Sequence, residues 1–408
     1  MHWDGWVSAV FDCDILIIGA GPAGLSFAAS MRGSGLSVVV LERLSVAALA
    51  EAPYDGREIA LTWRSVRMLR NMGTWQRLPA QELFGIRKAR VLNGLMSAGL
   101  DIAPRGGAAE GADADADLGI LVSNHLLRRA LYETVRADGT TRLHTECVVQ
   151  AAATDAQCAT VTLQDGRVLR AKLLVAADSR FSATRRALGI PARHQDFGKT
   201  MMVCRMQHAL SNERVACEWF GHHQTLAILP LGEHQSSLVL TLPHAQIERL
   251  QGLETAAFER EMRERSRNRL GALTLKSERF AYPLVAVYPQ RFIAPRFATI
   301  GDAAVGMHPV TAHGFNLGLA GQDTLARLIR RGRDRRGPGD PGSASLLRAF
   351  DAEHRFATRP LYLATNAIVR LYTDDSLPAR VARGALLGLA SRVPQVSAQL
   401  ARALQQAS

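Results

Sequence analysis

Gly19-Ala20-Gly21-Pro22-Ala23-Gly24 sets three glycines at G-x-G-x-x-G spacing between two apolar runs. The run before it, Asp14–Ile18, reads as a short buried strand, and Leu25–Met31 as a small-residue helix pressed against a sheet. In that setting each glycine has its own task. Gly19 permits a tight turn, Gly21 lets backbone approach a pyrophosphate, and Gly24 lets helix and strand pack closely. The helix N-terminus offers unpaired N–H groups and a partial positive charge to phosphates. A second β-branched run, Ser37–Leu41, is followed by Glu42 and Arg43. A carboxylate at that point accepts hydrogen bonds from ribose hydroxyls. Strand, turn, helix, strand and acid stand in register for a βαβ dinucleotide site, which a chance glycine turn would not produce.

Two later segments narrow the ligand. Leu174–Arg185 ends a strand at Asp178 and continues Ser179-Arg180-Phe181-Ser182-Ala183-Thr184-Arg185. Phe297–Ala304 ends another strand at Gly301-Asp302 and opens a small-residue helix. An isolated Asp after a strand is usually a helix cap. Three such motifs in this order resemble the group A flavoprotein aromatic hydroxylases of the p-hydroxybenzoate hydroxylase type, whose FAD is covered by three distant pieces of chain. The resemblance implies that Asp302 binds the ribityl chain of FAD and that Asp178 binds FAD and faces a nicotinamide cofactor. Ser179 stands where that family has Gly, and Val305 where it has His, while His308-Pro309 keeps the family spacing.

The chain more closely resembles the ubiquinone-biosynthesis hydroxylases, the UbiH/UbiF/UbiM group. Asp55-Gly56-Arg57-Glu58-Ile59-Ala60-Leu61-Thr62 is similar to their DGREIALT segment, and the run on to Trp75 continues the likeness. His308-Pro309-Val310-Thr311-Ala312-His313-Gly314-Phe315-Asn316-Leu317-Gly318-Leu319 is similar to their HPxxxxGFNLGL segment. Gly321-Gln322-Asp323 resembles the UbiM branch in particular. The likeness spans roughly residues 14 to 372. It implies that Arg57 lies near a mobile flavin, and that Asn124, Arg128, Val148, Gly314, Phe315 and Asn316 join Gly19 to Gly24, Glu42 and Arg43 as cofactor contacts. For Asn124 the alternative is a helix cap, and for Arg57 an ion pair with Asp55 or Glu58.

Physical chemistry supports a flavin role for the second segment without the family. A Gly-Phe-Asn step before an apolar helical run presents backbone N–H groups, which stabilise negative charge on a reduced flavin. Pro309 would fix the loop beside the flavin face. His308 and His313 are the titratable candidates for catalysis there, along with Arg57, because histidine alone titrates near neutrality unperturbed. A structural histidine bonded to backbone is the alternative for each.

These motifs lie in a chain of 408 residues, long enough for two or three domains. With 47% hydrophobic and 21% charged residues it is globular in composition, which excludes disordered, collagenous and disulfide-scaffold classes. Five scattered cysteines without a CxxC pair fit a reducing compartment and give no metal site. Neither a secretory signal nor a membrane span is expected. Strand-like runs at 161–176, 201–208, 226–230 and 236–242, and helical runs at 246–266 and 345–372, follow the βαβ start. The expected fold is α/β of the p-hydroxybenzoate hydroxylase type. A discontinuous Rossmann-type FAD domain (1–82, 118–190, 286–355) is interrupted by a β-rich substrate domain (83–117, 191–285), and a helical segment (356–408) ends the chain. Residues 101–117 and 330–343 read as surface loops. No second G-x-G-x-x-G with its own strand and acidic residue follows residue 43, so no separate NAD(P)H domain is expected, and the resemblance to the group A enzymes implies that NAD(P)H visits the flavin transiently.

Lys and Arg outnumber Asp and Glu 49 to 37, for a net charge of +12. Arg327, Arg330, Arg331, Arg333, Arg335 and Arg336 cluster, and the apolar segment 360–407 is studded with Arg370, Arg380, Arg383, Arg392 and Arg402. A basic amphipathic helix can lie on anionic membrane, and equally can cap a domain with a solvated face. The expected localisation is cytoplasmic, peripheral at the inner face of the membrane if that region binds lipid. The resemblance implies FAD-dependent hydroxylation of the aromatic ring of a polyprenylated ubiquinone precursor, using NAD(P)H and O2. A reductase or another hydroxylase on the same fold, and a non-catalytic flavin-binding accessory protein, are the alternatives. Partners in a biosynthetic complex and a homodimer stay open, as does the ring carbon attacked. Nucleic acid is not an expected partner.

Overall fold

The computed structural model describes residues 11–94, 99–103, 117–221, 224–308, 314–332 and 339–373. Strand β1 (Cys13–Ile18), helix α1 (Pro22–Ser30) and strand β2 (Val38–Leu41) form the expected βαβ unit. Every residue of β2 is buried, as continuous Val/Leu runs are in sheets covered on both faces. β1 pairs in parallel with β2 on one side and with strand Val168–Ala176 on the other. Strands Thr141–His144 and Phe297–Thr299 extend this parallel core outwards. The carboxyl ends of β1, Val168–Ala176 and Phe297–Thr299 therefore stand side by side, and each opens into one of the three motifs.

A second sheet runs in the order Leu273–Leu275, Ala192–His208, Gln235–Pro243, Thr225–Pro230, Val215–Phe220, Lys88–Asn93, Leu100–Ile102, with Phe280–Pro289 also on Ala192–His208. It is antiparallel except where Lys88–Asn93 lies parallel to Val215–Phe220. Helices His244–Gln251 and Thr255–Arg265 cover one of its faces through Ile247, Leu250, Phe258 and Met262. A small third sheet, Glu58–Leu61, Gly119–Ser123 and Phe84–Ile86, joins the two.

Several sequence readings are corrected. The expected loop 101–117 begins as strand Leu100–Ile102 and the expected loop 330–343 begins inside helix Gly314–Arg331, while residues 104–116 and 333–338 lie outside the described residues. The run 161–176 is a hairpin, Ala159–Leu163 and Val168–Ala176, because Asp165-Gly166 turns the chain with Gly166 at φ +86°. The run 246–266 is two helices parted at Gly252. The C-terminal helix Ala344–Thr373 passes without a break through the expected boundary at 355/356. No described helix is long and apolar enough to cross a membrane.

Candidate functional site

The glycine turn is shaped by close backbone contacts. Gly19 has φ +104°, and a Cβ on it would lie 2.5 Å from the Ala177 carbonyl oxygen. A Cβ on Gly24 would lie 2.0 Å from the Gly19 oxygen. On Gly21 it would meet nothing within 4 Å. Two glycines are thus demanded by the protein's own packing, and the middle one borders open space. α1 begins there with Pro22 in its first turn, no side-chain cap and no acidic residue. Its leading N–H groups remain to be met by an anion.

Glu42 is 8% exposed, and both its carboxylate oxygens are held. Oε2 accepts from the Ala20 N–H (2.7 Å) and Oε1 from the Leu44 N–H (2.9 Å). The Cys147 N–H donates to the Glu42 carbonyl (2.8 Å), which brings Val148, 49% exposed, to the same end of the sheet. Arg43 is exposed beside it.

The other two motifs meet one another and α1. Gly301 has φ +60°, and a Cβ on it would sit 2.4 Å from that of Ala23. Arg180 Nη2 donates to Asp302 Oδ2 (3.1 Å). Arg185 is fully buried, and its Nη1 donates to the Ala303 carbonyl (2.9 Å), so the last residue of the Asp178 segment fixes the Gly301-Asp302 turn. Asp178 Oδ2 accepts from the Thr184 N–H (3.3 Å) and hydroxyl (3.2 Å). Its Oδ1 is buried with no hydrogen bond inside the protein.

On the far side, the segment 55–62 is tied down by side chains from every quarter. Asp55 Oδ2 accepts from Arg57 Nη2 (2.6 Å) and Asn124 Nδ2 (2.8 Å), and the Asp55 carbonyl from the Tyr282 hydroxyl (2.6 Å). Arg57 therefore makes the ion pair with Asp55, with its guanidinium 5.4 Å from the Tyr282 ring centre. Asn124 is not the helix cap. Ser123 holds that position, and Asn124 opens helix Asn124–Asp138 with its side chain spent on Asp55. Arg128, one turn on, is half-buried and lies within electrostatic reach of Tyr282 and His125. Glu58 is buried, and burial raises its carboxyl above the usual range while Arg205 opposes the shift. Arg205 Nε reaches Glu58 Oε1 (3.0 Å) and its Nη2 reaches Ser123 Oγ (2.6 Å). Arg205 lies 147 residues from Glu58, and nothing in either segment announces the pair.

His308 is 7% exposed, with its ring edge-to-face on Phe197 at 4.9 Å. Burial, with Lys199 and Arg180 nearby, pushes its pKa down to about 4, so it is neutral at physiological pH. Pro309 and His313 lie outside the described residues. Gly314 and Phe315 begin helix Gly314–Arg331, as the Gly-Phe-Asn step led one to expect. Asn316, however, spends its amide inside the protein. Its Oδ1 accepts from the Thr62 N–H (3.1 Å) and its Nδ2 donates to the Ala60 carbonyl (2.8 Å), strapping this helix to the 55–62 segment.

Part of the basic cluster is structural. Arg327 pairs with Glu353, and Arg330 donates to the carbonyls of Ser30 and Arg32 at the end of α1. Arg333, Arg335, Arg336 and the arginines from 380 onward lie outside the described residues.

A model of the FAD binding domain family matches residues 12–331. The chain belongs to that family. FAD is accordingly the cofactor of this flavoprotein, and its residues fit the group. The open space before Gly21, the uncapped α1 terminus and the unbonded Asp178 Oδ1 all lie where the three motifs converge. UbiM, a ubiquinone hydroxylase of Neisseria meningitidis, is 44% identical over 96% of this chain and 84% of its own. UbiL, a ubiquinone hydroxylase of Rhodospirillum rubrum, is 33% identical over 93% and 86%. The flavoprotein shares its fold with p-nitrophenol 4-monooxygenase PnpA from Pseudomonas putida, at TM-score 0.73 and 17% identity over 96% of this chain and 98% of that one. The expected p-hydroxybenzoate hydroxylase-like architecture is thus the one found.

Proposed function

We propose that this flavoprotein hydroxylates the aromatic ring of a polyprenylated ubiquinone precursor, with NAD(P)H and O2 as co-substrates. The observation that carries the reading is the 44% identity to UbiM over almost the whole chain. When bound, FAD supplies the electron-transfer and oxygen-transfer chemistry, and the protein supplies binding, orientation and exclusion of water. In this reading the α1 N-terminus and Gly21 hold the pyrophosphate, Glu42 the ribose, and Arg43 and Val148 border the adenine end. Asp302, oriented by Arg180, and Asp178, through its free Oδ1, hold the ribityl side. Arg57, Asn124, Arg128, Gly314, Phe315 and Asn316 frame the isoalloxazine end, with His308 neutral beside it. The proposed FAD domain comprises the parallel sheet and its helices, and the second sheet is the substrate domain.

A prenylated substrate resides in lipid. Helix Ala344–Thr373 carries Phe356 (85% exposed) and Leu363 (55%) on its surface beside Arg359, which supports peripheral contact with anionic membrane. One experiment addresses both points. The FAD-loaded protein is given NAD(P)H, 18O2 and prenylated phenolic precursors in anionic vesicles. The expected results are sedimentation with the vesicles and one labelled oxygen in the ring product. NAD(P)H oxidation that yields only H2O2 with every precursor would overturn the hydroxylase reading. Complementation of bacterial strains lacking single ring hydroxylases then identifies the carbon attacked.

A further inference from the structure

Glu218 lies in the middle of strand Val215–Phe220. Its neighbours along the strand, Cys217 and Trp219, pack into the core under helices His244–Gln251 and Thr255–Arg265. Residues alternate across a sheet, so Glu218 points to the opposite face. The register sets it opposite Val91 and Ala227, then Val239, Val203 and Phe280 in turn across the sheet. The far end of this row abuts the 55–62 segment, where the Phe280 ring fills the space beside Gly56. On the same face Val203 packs with Met201, Leu284 and Phe197, and Phe197 touches His308. Glu218 is thus an unpaired acid on an apolar floor whose far edge, four strands away at Phe280, meets the 55–62 segment.

Among the described residues no hydrogen bond or ion pair reaches its carboxyl. Glu218 is half-buried, on the sheet face opposite the one that the two helices cover. A carboxyl is not left unpaired against Val and Ala without cost, and such groups concentrate at sites of function.

Resting on the hydroxylase reading above, we propose that Glu218 is the base that receives the proton of the substrate's ring hydroxyl. The ring O–H bond breaks and an Oε–H bond forms, and the released electron pair enters the ring. The activated ring carbon bonds one oxygen atom of O2, while NAD(P)H, through FAD, supplies the two electrons that reduce the other to water. The carbon then loses its hydrogen as a proton, and Glu218 returns its own proton to the ring oxygen. Burial alone pushes the Glu218 carboxyl up to about 8, which brings its basicity towards that of a phenol and near working pH.

The other charged or titratable groups around this face are accounted for. Arg205 is neutralised by Glu58, and Arg57 by Asp55. Tyr282 is raised by burial, His308 is lowered, and Lys199 acts on His308. Lys88, Arg90 and Asp101 form ion pairs on the far face, and Arg214 pairs with Asp117 at the edge. None of them perturbs Glu218, whose shift has burial as its sole cause.

The test compares the FAD-loaded wild type with Glu218→Gln, with FAD content and melting temperature checked first. With a prenylated phenol, wild-type kcat/KM is expected to rise with pH towards about 8. Glu218→Gln is expected to lose roughly 100-fold and to show no such rise. Binding of the O-methyl ether, which has no proton to give, is expected to be the same in both. A wild-type kcat/KM that is flat from about pH 6 to about pH 9 overturns the assignment without any variant. So does a Glu218→Gln protein with wild-type rate and profile. If the wild type oxygenates no phenol, the hydroxylase reading itself fails, a result distinct from these.

Discussion

The glycine turn after β1 and the inward-turned face of the second sheet are built on opposite plans. At the turn, backbone does the work. Gly19 and Gly24 are fixed by contacts with main-chain oxygens, and even Glu42 is oriented by two N–H groups. Space is left only in front of Gly21. On the sheet face, side chains from segments far apart in sequence do the work. Arg205, Glu58 and Ser123 close a buried ion pair there, and Glu218 stands alone a few strands away. A backbone-made site is dictated by local spacing and binds a ligand common to a whole family. A side-chain-made site is assembled by topology and can differ between relatives without disturbing the fold.

The largest expected effect tests the first half of this contrast. A Cβ on Gly24 collides with the Gly19 oxygen, so Gly24→Ala must push α1 off the sheet. Overpacking of this kind costs about 1–3 kcal/mol or more. The variant should purify nearly colourless and melt well below wild type even as apoprotein. Gly21→Ala meets no protein atom, and Gly21 has φ −74°, which alanine adopts freely. Its apoprotein should melt like the wild-type apoprotein, while its FAD affinity falls. Equal loss of stability in both would show that the middle glycine is also structural.

Next in size is Glu42→Ala. It removes an acceptor from the Ala20 and Leu44 N–H groups and, in the proposed site, from the ribose. Loss of a charge-assisted hydrogen bond costs ~1.5–3 kcal/mol. FAD should therefore bind roughly ten- to a hundredfold more weakly, as read by equilibrium titration. Unchanged affinity would mean that the carboxylate serves only to shape the turn.

What the sequence disclosed follows the same division. The βαβ unit, the three FAD motifs and the long C-terminal helix are legible because each depends on residues within one or two turns of one another. Turn chemistry is less legible, because Asp165-Gly166 sits inside a run of strand-forming residues. Arg185 was visible as part of a motif, but its attachment to Ala303 spans 118 positions and needed the fold. Glu218 gave no signal at all. In Val-Ala-Cys-Glu-Trp-Phe it reads as an ordinary solvent-facing residue of an alternating strand, and only the sheet register shows that the face it occupies is turned inwards.

Asn316 joins the two regions, and its substitution has the smallest and most diagnostic effect. Read from sequence, Asn316→Asp sets a negative charge against the reduced flavin. In the fold the side chain straps helix Gly314–Arg331 to the Ala60–Thr62 backbone. Aspartate keeps the acceptor for the Thr62 N–H but turns the donor facing the Ala60 carbonyl into a second acceptor, with a buried charge. Alanine abandons both partners and brings no charge. Each substitution leaves buried polar groups unmatched, at a cost of about 1–3 kcal/mol. If the strap is what matters, both variants lose stability, Asn316→Asp the more for its buried charge, and the fraction of NAD(P)H spent on product falls alike. If charge near the flavin matters as well, Asn316→Asp reduces its flavin more slowly than Asn316→Ala. Stopped-flow reduction of the two at matched FAD content decides it, and identical rates would confine Asn316 to holding the two regions together.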